Sequence, residues 1–271
     1  MVFAGVTIGV KTEAAIPPNL NFQQNITISS KNLSDFDGFI VEKDENGLIK
    51  LLDTDKSDTI VVYNNMGSIM GYVTTEYEYY RVGDITTGDY DILVLFKIVI
   101  EPLDKVKYKN GLFDLCTEKG DACLKYVKHY VDLSNNSNIF VKKSLPDSSI
   151  ITYNESVTIG VSYGYDSDGV LSADLSYERT LSAEYQSVMV ENNTSIVNNY
   201  VDILYKASKD DDYTSNTNVQ YGCYTLNVIS NEPKIVIKTE TEAQFIIGWG
   251  SFWGDSKGKA GTIETKVLNI S

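Results

Sequence analysis

Histidine occurs once in this chain, at His129, and arginine only at Arg81 and Arg179. With so little of either, catalytic constellations built on imidazole are out of reach, and the bidentate guanidinium clamps that hold phosphate or carboxylate are scarce. Charge of positive sign is also short: the formal net charge is −14. That balance works against phosphate backbones and anionic surfaces, so nucleic acid is not an expected partner. Long apolar runs are missing too. The longest, Ile92-Leu-Val-Leu-Phe-Lys-Ile-Val-Ile100, has about half the roughly 20 residues a membrane helix needs and carries Lys97, so it reads as a core strand and no membrane span is expected. The three cysteines fit no zinc spacing, and neither a cofactor nor a metal is expected.

What the chain does have is tyrosine, 19 residues of it, with abundant Asn, Ser, Thr, Val and Ile. These suit pleated, half-exposed surfaces. The expected fold is all-β, an immunoglobulin-like or jelly-roll type β-sandwich with an extended N-terminal strand arm. Turn signals punctuate it throughout. Asp44-Glu-Asn-Gly47 joins Phe39–Glu42 to Leu48–Leu52 as a hairpin, and Asn64-Asn-Met-Gly67 joins Thr59–Tyr63 to Ser68–Thr74. Asp166-Ser-Asp-Gly169 turns Ser156–Gly164 back onto Val170–Glu178. Cys123–Val131 is the nearest stretch to a helix, and strand is the preferred reading. Later segments, Val219–Ile229, Lys234–Thr239, Gln244–Trp253 and Thr262–Leu268, follow at sandwich spacing. Leu145-Pro-Asp-Ser-Ser149 is the best candidate boundary. It divides the chain into an arm and linker over 1–18 and sub-domains over 19–145 and 146–271, which can also form one continuous domain.

Val2, Ala4, Val6, Ile8 and Val10 alternate with polar or small residues, and Pro17-Pro18 follows instead of a turn. Such a strand either pairs with a distant strand of its own domain or fills a groove in a neighbouring copy. Burying four Val- or Ile-sized side chains stabilises by on the order of 6–12 kcal/mol, and a head-to-tail contact of that strength propagates as a filament.

Extracellular placement is argued from sequons at Asn25, Asn32, Asn135, Asn154, Asn192, Asn193 and Asn269, which make N-linked glycans expected partners. It is also argued from Cys116-x6-Cys123, a spacing that closes a small disulfide loop at a hairpin end. Cys223 is then left as a buried free thiol.

Several motifs dissolve in context. Gly160-Val-Ser-Tyr-Gly164 has the G-x-S-x-G form, but it lies inside an alternating strand and no histidine follows it. Asp166 and Asp168 look like the opening of a calcium loop, yet the later bidentate acid is missing, so a turn is preferred. Asp35-Phe-Asp-Gly38 is read the same way, and Lys209-Asp-Asp-Asp212 as a solvated loop. Gly248-Trp-Gly-Ser-Phe-Trp-Gly254 invites sugar stacking, with core anchoring by Trp249 and Trp253 the safer assignment. His129, between Lys128 and Tyr130, reads as a surface or interface side chain rather than a base.

The opening strand Val2–Val10, the run of β-segments, the sequons and the Lys-over-Arg, Tyr/Asn/Ser/Thr-rich composition together resemble archaeal thread filament subunits, glycosylated β-sandwiches joined by donor-strand complementation. The resemblance implies a cell-surface homopolymer with an adhesive or structural role and no enzymatic activity. A secreted β-pore-forming or carbohydrate-binding protein, acting as a monomer or ring, is the alternative. The hairpin Ser156–Glu178 alternates as an inserting hairpin would, but Asp174 and Glu178 on its return arm count against insertion.

Overall fold

The computed structural model describes residues 39–41, 49–110, 116–151, 155–165, 171–181, 188–207, 217–247 and 256–270. Over these the chain is strand almost throughout, as its composition requires, broken by one 3-10 turn at Ile85–Thr87. Asp84 caps that turn by accepting from Thr86 N, and Gly88 closes it at φ 71°.

A first sheet runs, in spatial order, β10 (Ser149–Ile151), β13 (Val188–Asn192), β14 (Tyr200–Ala207), β8 (Ala122–Asp132), β16 (Lys234–Ile247) and β17 (Ser256–Asn269). A second runs β2 (Ile49–Lys56), β4 (Ile69–Val82), β5 (Asp89–Pro102), β15 (Asn218–Ile229) and β9 (Ile139–Leu145), with β3 (Ile60–Tyr63) also on β4. The two face each other as a β-sandwich. Val127, Val131, Ile203, Ile237 and Phe245 of the first sheet share one core with Tyr77, Ile92, Val94, Phe96 and Leu226 of the second. β6 (Val106–Asn110) and β7 (Cys116–Gly120) pair as a separate hairpin. A third layer, β1 (Phe39–Val41), β11 (Glu155–Tyr165) and β12 (Leu171–Leu181), packs on the second sheet.

Two sequence expectations are corrected by this pairing. β1 lies parallel to β11, with Phe39 opposite Ile159, while β2 pairs with β4, so no hairpin joins the two across Asn46-Gly47. Local turn chemistry lost to a longer-range edge. Strands from both sides of Leu145–Ser149 mix in each large sheet: β8 sits between β14 and β16, and β15 between β5 and β9. That stretch therefore separates no two sets of strands. Lys234–Thr239 and Gln244–Trp253 are not separate strands either, because β16 runs unbroken from Lys234 to Ile247. By contrast, the Asn64–Gly67 turn forms as its residues require. Asn64 Oδ1 accepts from Met66 N and Ser68 N, both at 3.0 Å, and Gly67 takes φ 74°.

The sandwich closes most tightly at Gly222. A methyl group there would overlap the Phe96 ring and stand 2.6 Å from the Tyr205 hydroxyl, which donates to Tyr221 O at 2.8 Å. Overpacking of this kind costs about 1–3 kcal/mol. Gly222→Ala is therefore expected to lower the melting temperature by several degrees in a thermal unfolding scan, and an unchanged melting temperature would show that the two sheets are less closely apposed.

Candidate functional site

The third layer is built from one hairpin. β11 and β12 pair antiparallel over their full length, with Glu155 opposite Leu181 and Tyr165 opposite Leu171. Because alternate residues of a strand lie on opposite faces, directly opposed pairs share a face. One face therefore takes the pairs Glu155/Leu181, Val157/Arg179, Ile159/Tyr177, Val161/Leu175, Tyr163/Ala173 and Tyr165/Leu171. The other takes Ser156/Thr180, Thr158/Glu178, Gly160/Ser176, Ser162/Asp174 and Gly164/Ser172. Apolar residues fill the first row but for Glu155 and Arg179 at its base, and the second is wholly polar or glycine. Asp174 and Glu178, which counted against insertion when the arms were read singly, fall together in the polar row. G-x-S-x-G is strand throughout, with no strand-to-helix elbow at Ser162.

Beneath this layer, the second sheet presents the face that points away from the sandwich core. Tyr80, Leu93, Leu95 and Cys223 are completely buried there, although they lie outside the core shared by the two large sheets. β12 crosses β4, β5 and β9, and β11 touches β15. This face also holds Glu78 and Asp91, the buried carboxylates among the described residues. Glu78 accepts from the Tyr80 hydroxyl at 2.6 Å. Asp91 pairs with Lys142 Nζ at 2.7 Å, and Asn227 Nδ2 donates to Asp89 at 2.7 Å and to Asp91 at 3.4 Å. Charged groups are costly in a permanently dry interface unless paired, and Lys142 keeps one side of this network in contact with water.

The outer edge of β11 is occupied by β1 through Phe39–Val41 against Ile159–Val161. An uncovered edge of that length would be a template for another strand.

His129 is not at the surface. It is completely buried between the large sheets, stacked on Phe96 at 4.1 Å and 5.9 Å from both Tyr77 and Tyr224. Neither ring nitrogen has a hydrogen-bond partner among the described residues, and burial pushes its pKa down to about 3. Its inward neighbours Val127 and Val131 were the overlooked signal, since a period of two puts position 129 on their face.

The other expected site residues are dispersed. Val2, Ala4, Val6, Ile8 and Val10, the sequons at Asn25, Asn32 and Asn154, and Asp166 and Asp168 lie outside the described residues, as do Trp249 and Trp253. Asn135, Asn193 and Asn269 are exposed. Asn192 differs: its Nδ2 donates to Pro146 O and Ser144 Oγ, both at 2.9 Å, so a glycan there would break a structural clasp. The Cys116 side chain is outside the described residues, while the Cys123 thiol points to Asp121 O at 3.8 Å. Those cysteines lie on strands with different partners, Cys116 opposite Asn110 and Cys123 opposite Ile246. Cys223 is a buried free thiol, and burial raises its pKa well above the usual thiol range.

No family model matches the chain, and no curated protein does. Among solved structures it is similar to Clostridium perfringens delta-toxin, with a TM-score of 0.46 and 14% identity over 85% of this chain and 100% of that one. It is similar to a protein described as a pore forming protein, with a TM-score of 0.41 and 12% identity over 83% of this chain and 92% of that one. A third likeness is to the Clostridium perfringens NetB toxin in its membrane-inserted form, with a TM-score of 0.36 and 15% identity over 79% and 94% of the two chains. All three TM-scores lie below 0.5, and this chain's own strand pairing says more about it.

Proposed function

We propose that the chain is a secreted β-pore-forming protein whose inserting element is the hairpin of β11 and β12. The observation that carries this is the register: a single ladder segregates an apolar row from a polar one, as a strand between lipid and a water-filled lumen must. Each arm has 11 residues, matching the roughly 9–11 that a tilted strand needs to cross a bilayer. One hairpin leaves unsatisfied edges in lipid, so insertion demands a closed ring of copies. In the soluble form the hairpin lies on the second sheet and β1 covers the free edge of β11. In the ring both contacts are exchanged, for lipid and for a neighbouring copy.

Purified protein is expected to release a small dye from neutral phospholipid vesicles and to run as a ring-sized oligomer after detergent extraction. Inert vesicles together with long unbranched fibres in the microscope would contradict the pore and return the filament expectation.

Cys223 supplies an internal reporter. It is completely buried on the face that the hairpin sheet covers. In a Cys116→Ser, Cys123→Ser background, its thiol should resist a maleimide in solution and react once vesicles are added. Labelling that stays blocked while dye escapes would show that the hairpin never leaves the sandwich.

A further inference from the structure

Charge is spread unevenly in this acidic chain, and on the hairpin of β6 and β7 its sign reverses. The register sets Lys107 opposite Lys119 and Lys109 opposite Thr117, so these four share a face. The other row holds Val106, buried in the sandwich core, and Tyr108, packed against that core. Glu118, the one acid on either arm, is opposite Tyr108 and so falls in that inner row. Lysine and threonine alone make the outer row, and Lys107 and Lys119 are exposed.

Two local choices here work against stability. Like charges directly opposite each other destabilise an antiparallel pair, and neither Lys107 nor Lys119 has an ion-pair partner among the described residues. Lys105, also exposed, takes φ 54° just before β6, where glycine would be less strained. Its N–H donates to Asp121 Oδ1 at 3.0 Å. The hairpin is nonetheless fixed in place, because Asn64 Nδ2 donates to Lys107 O at 2.7 Å and Ala122 N to Leu103 O at 2.9 Å. Departures from local preference on one anchored face are what a binding surface leaves in a sequence.

This hairpin also stands at the end of the molecule from which β11 and β12 would extend. Ile151, closing β10, is opposite Val188, opening β13; Val188 is opposite Ala207, and Lys206 is opposite Tyr126. Both roots of the inserting hairpin are therefore directed toward the start of β8, into which β7 leads through Asp121. Continued straight from those roots, the arms would leave past β6 and β7. Lys257, exposed and level with Cys123 through their shared partner Ile246, adds another lysine at that end.

A net charge of −14 repels an anionic surface as a whole, but at physiological salt such fields fade over about 8 Å, so a surface touching this face meets its lysines first. The lysines stand about 7 Å apart along β6 and about 5 Å apart across the pair. These are point charges on a flat ladder, with no arginine in the row. They suit mobile headgroups that can gather beneath them, whereas one tightly held anion would want a guanidinium fork.

We propose that the outer face of β6 and β7 docks the protein on an anionic phospholipid leaflet, with Lys107 and Lys119 as the central pair. The inference rests on the pore reading and names the surface on which the pore is built. Co-flotation with phosphatidylcholine vesicles, with and without phosphatidylserine, tests it in the full chain carrying Val161→Arg, an arginine in the apolar row that keeps the hairpin from inserting and lets docking reach equilibrium. Phosphatidylserine is expected to strengthen binding. Each lysine near an anionic surface is worth about fivefold, so adding Lys107→Gln and Lys119→Gln should weaken binding to the phosphatidylserine vesicles by about 25-fold and leave binding to phosphatidylcholine unchanged. Removing a like-charged pair should hold or raise the melting temperature, so a folding defect cannot imitate the loss. The initial rate of dye release with Val161 in place should follow the same order. Dye release that gains nothing from phosphatidylserine, a gain that survives both substitutions, or a lysine pair that holds heparin but not vesicles would overturn the inference and leave the pore standing. Lysine-dependent docking by a protein that releases dye from no vesicle would instead support the docking face and remove the pore.

Discussion

Val161→Arg is expected to abolish dye release from vesicles, while Ser162→Arg, one residue further on, is expected to leave it largely intact. Val161 is opposite Leu175 in the apolar row and Ser162 is opposite Asp174 in the polar row, both near the middle of their strands. An arginine on the lipid face costs about 2–4 kcal/mol at the bilayer midplane, and a ring repeats that cost in every copy. An arginine in the lumen remains in water. It also sits across from the carboxylate row of Asp174 and Glu178, which should make the unmodified pore prefer cations. Ser162→Arg is therefore expected to move the reversal potential in planar bilayers toward anions. Thermal unfolding of both variants in solution separates failed insertion from failed folding. If both variants leak equally, or if Ser162→Arg is the inactive one, the two rows have been assigned to the wrong environments.

The second large effect concerns acid. His129 has an ordinary pKa of 6.5 when unfolded and about 3 when folded, because desolvation between the sheets disfavours the imidazolium. Folded and unfolded chains are alike at this site above pH 6.5. Below it the unfolded state binds a proton that the folded state refuses, so stability falls by about 1.4 kcal/mol per pH unit until the folded pKa is reached. Carboxylates with lowered pKa values, Glu76, Asp84, Asp132 and Glu242, add their own loss nearer pH 4. The diagnostic quantity is therefore the difference between the parent and His129→Leu in chemical unfolding at pH 6.5, 5.5 and 4.5. The parent should lose about one proton's worth more stability per unit than the variant. Parallel pH profiles would mean that His129 takes up its proton without unfolding.

Much of this architecture was legible in the chain. Period-two alternation marks Val219–Ile229, and turn chemistry places Asn64–Gly67 and the bend between Ser156–Gly164 and Val170–Glu178. What alternation along a single strand leaves open is register. A one-residue slip moves every side chain to the opposite face, so Asp174 and Glu178 looked like obstacles until their partners, Ser162 and Thr158, were known. The pairing of β1 with β11 was equally hidden, because more than a hundred residues separate Phe39 from Ile159 and no local pattern records such a contact. His129 was misplaced by its immediate neighbours. Lys128 and Tyr130 face outward, and the informative residues stood two away on either side.

The most direct measurement of the central claim is a scan of single cysteines from Val157 to Gly164, each carrying an environment-sensitive fluorophore, read after exposure to vesicles. Labels at positions 157, 159, 161 and 163 should shift to the blue and be quenched by lipid-borne nitroxide, whereas those at 158, 160, 162 and 164 should answer to aqueous iodide. An alternating profile in that phase is what an inserted hairpin produces. Emission that does not alternate, or that is the same with and without vesicles, would contradict it.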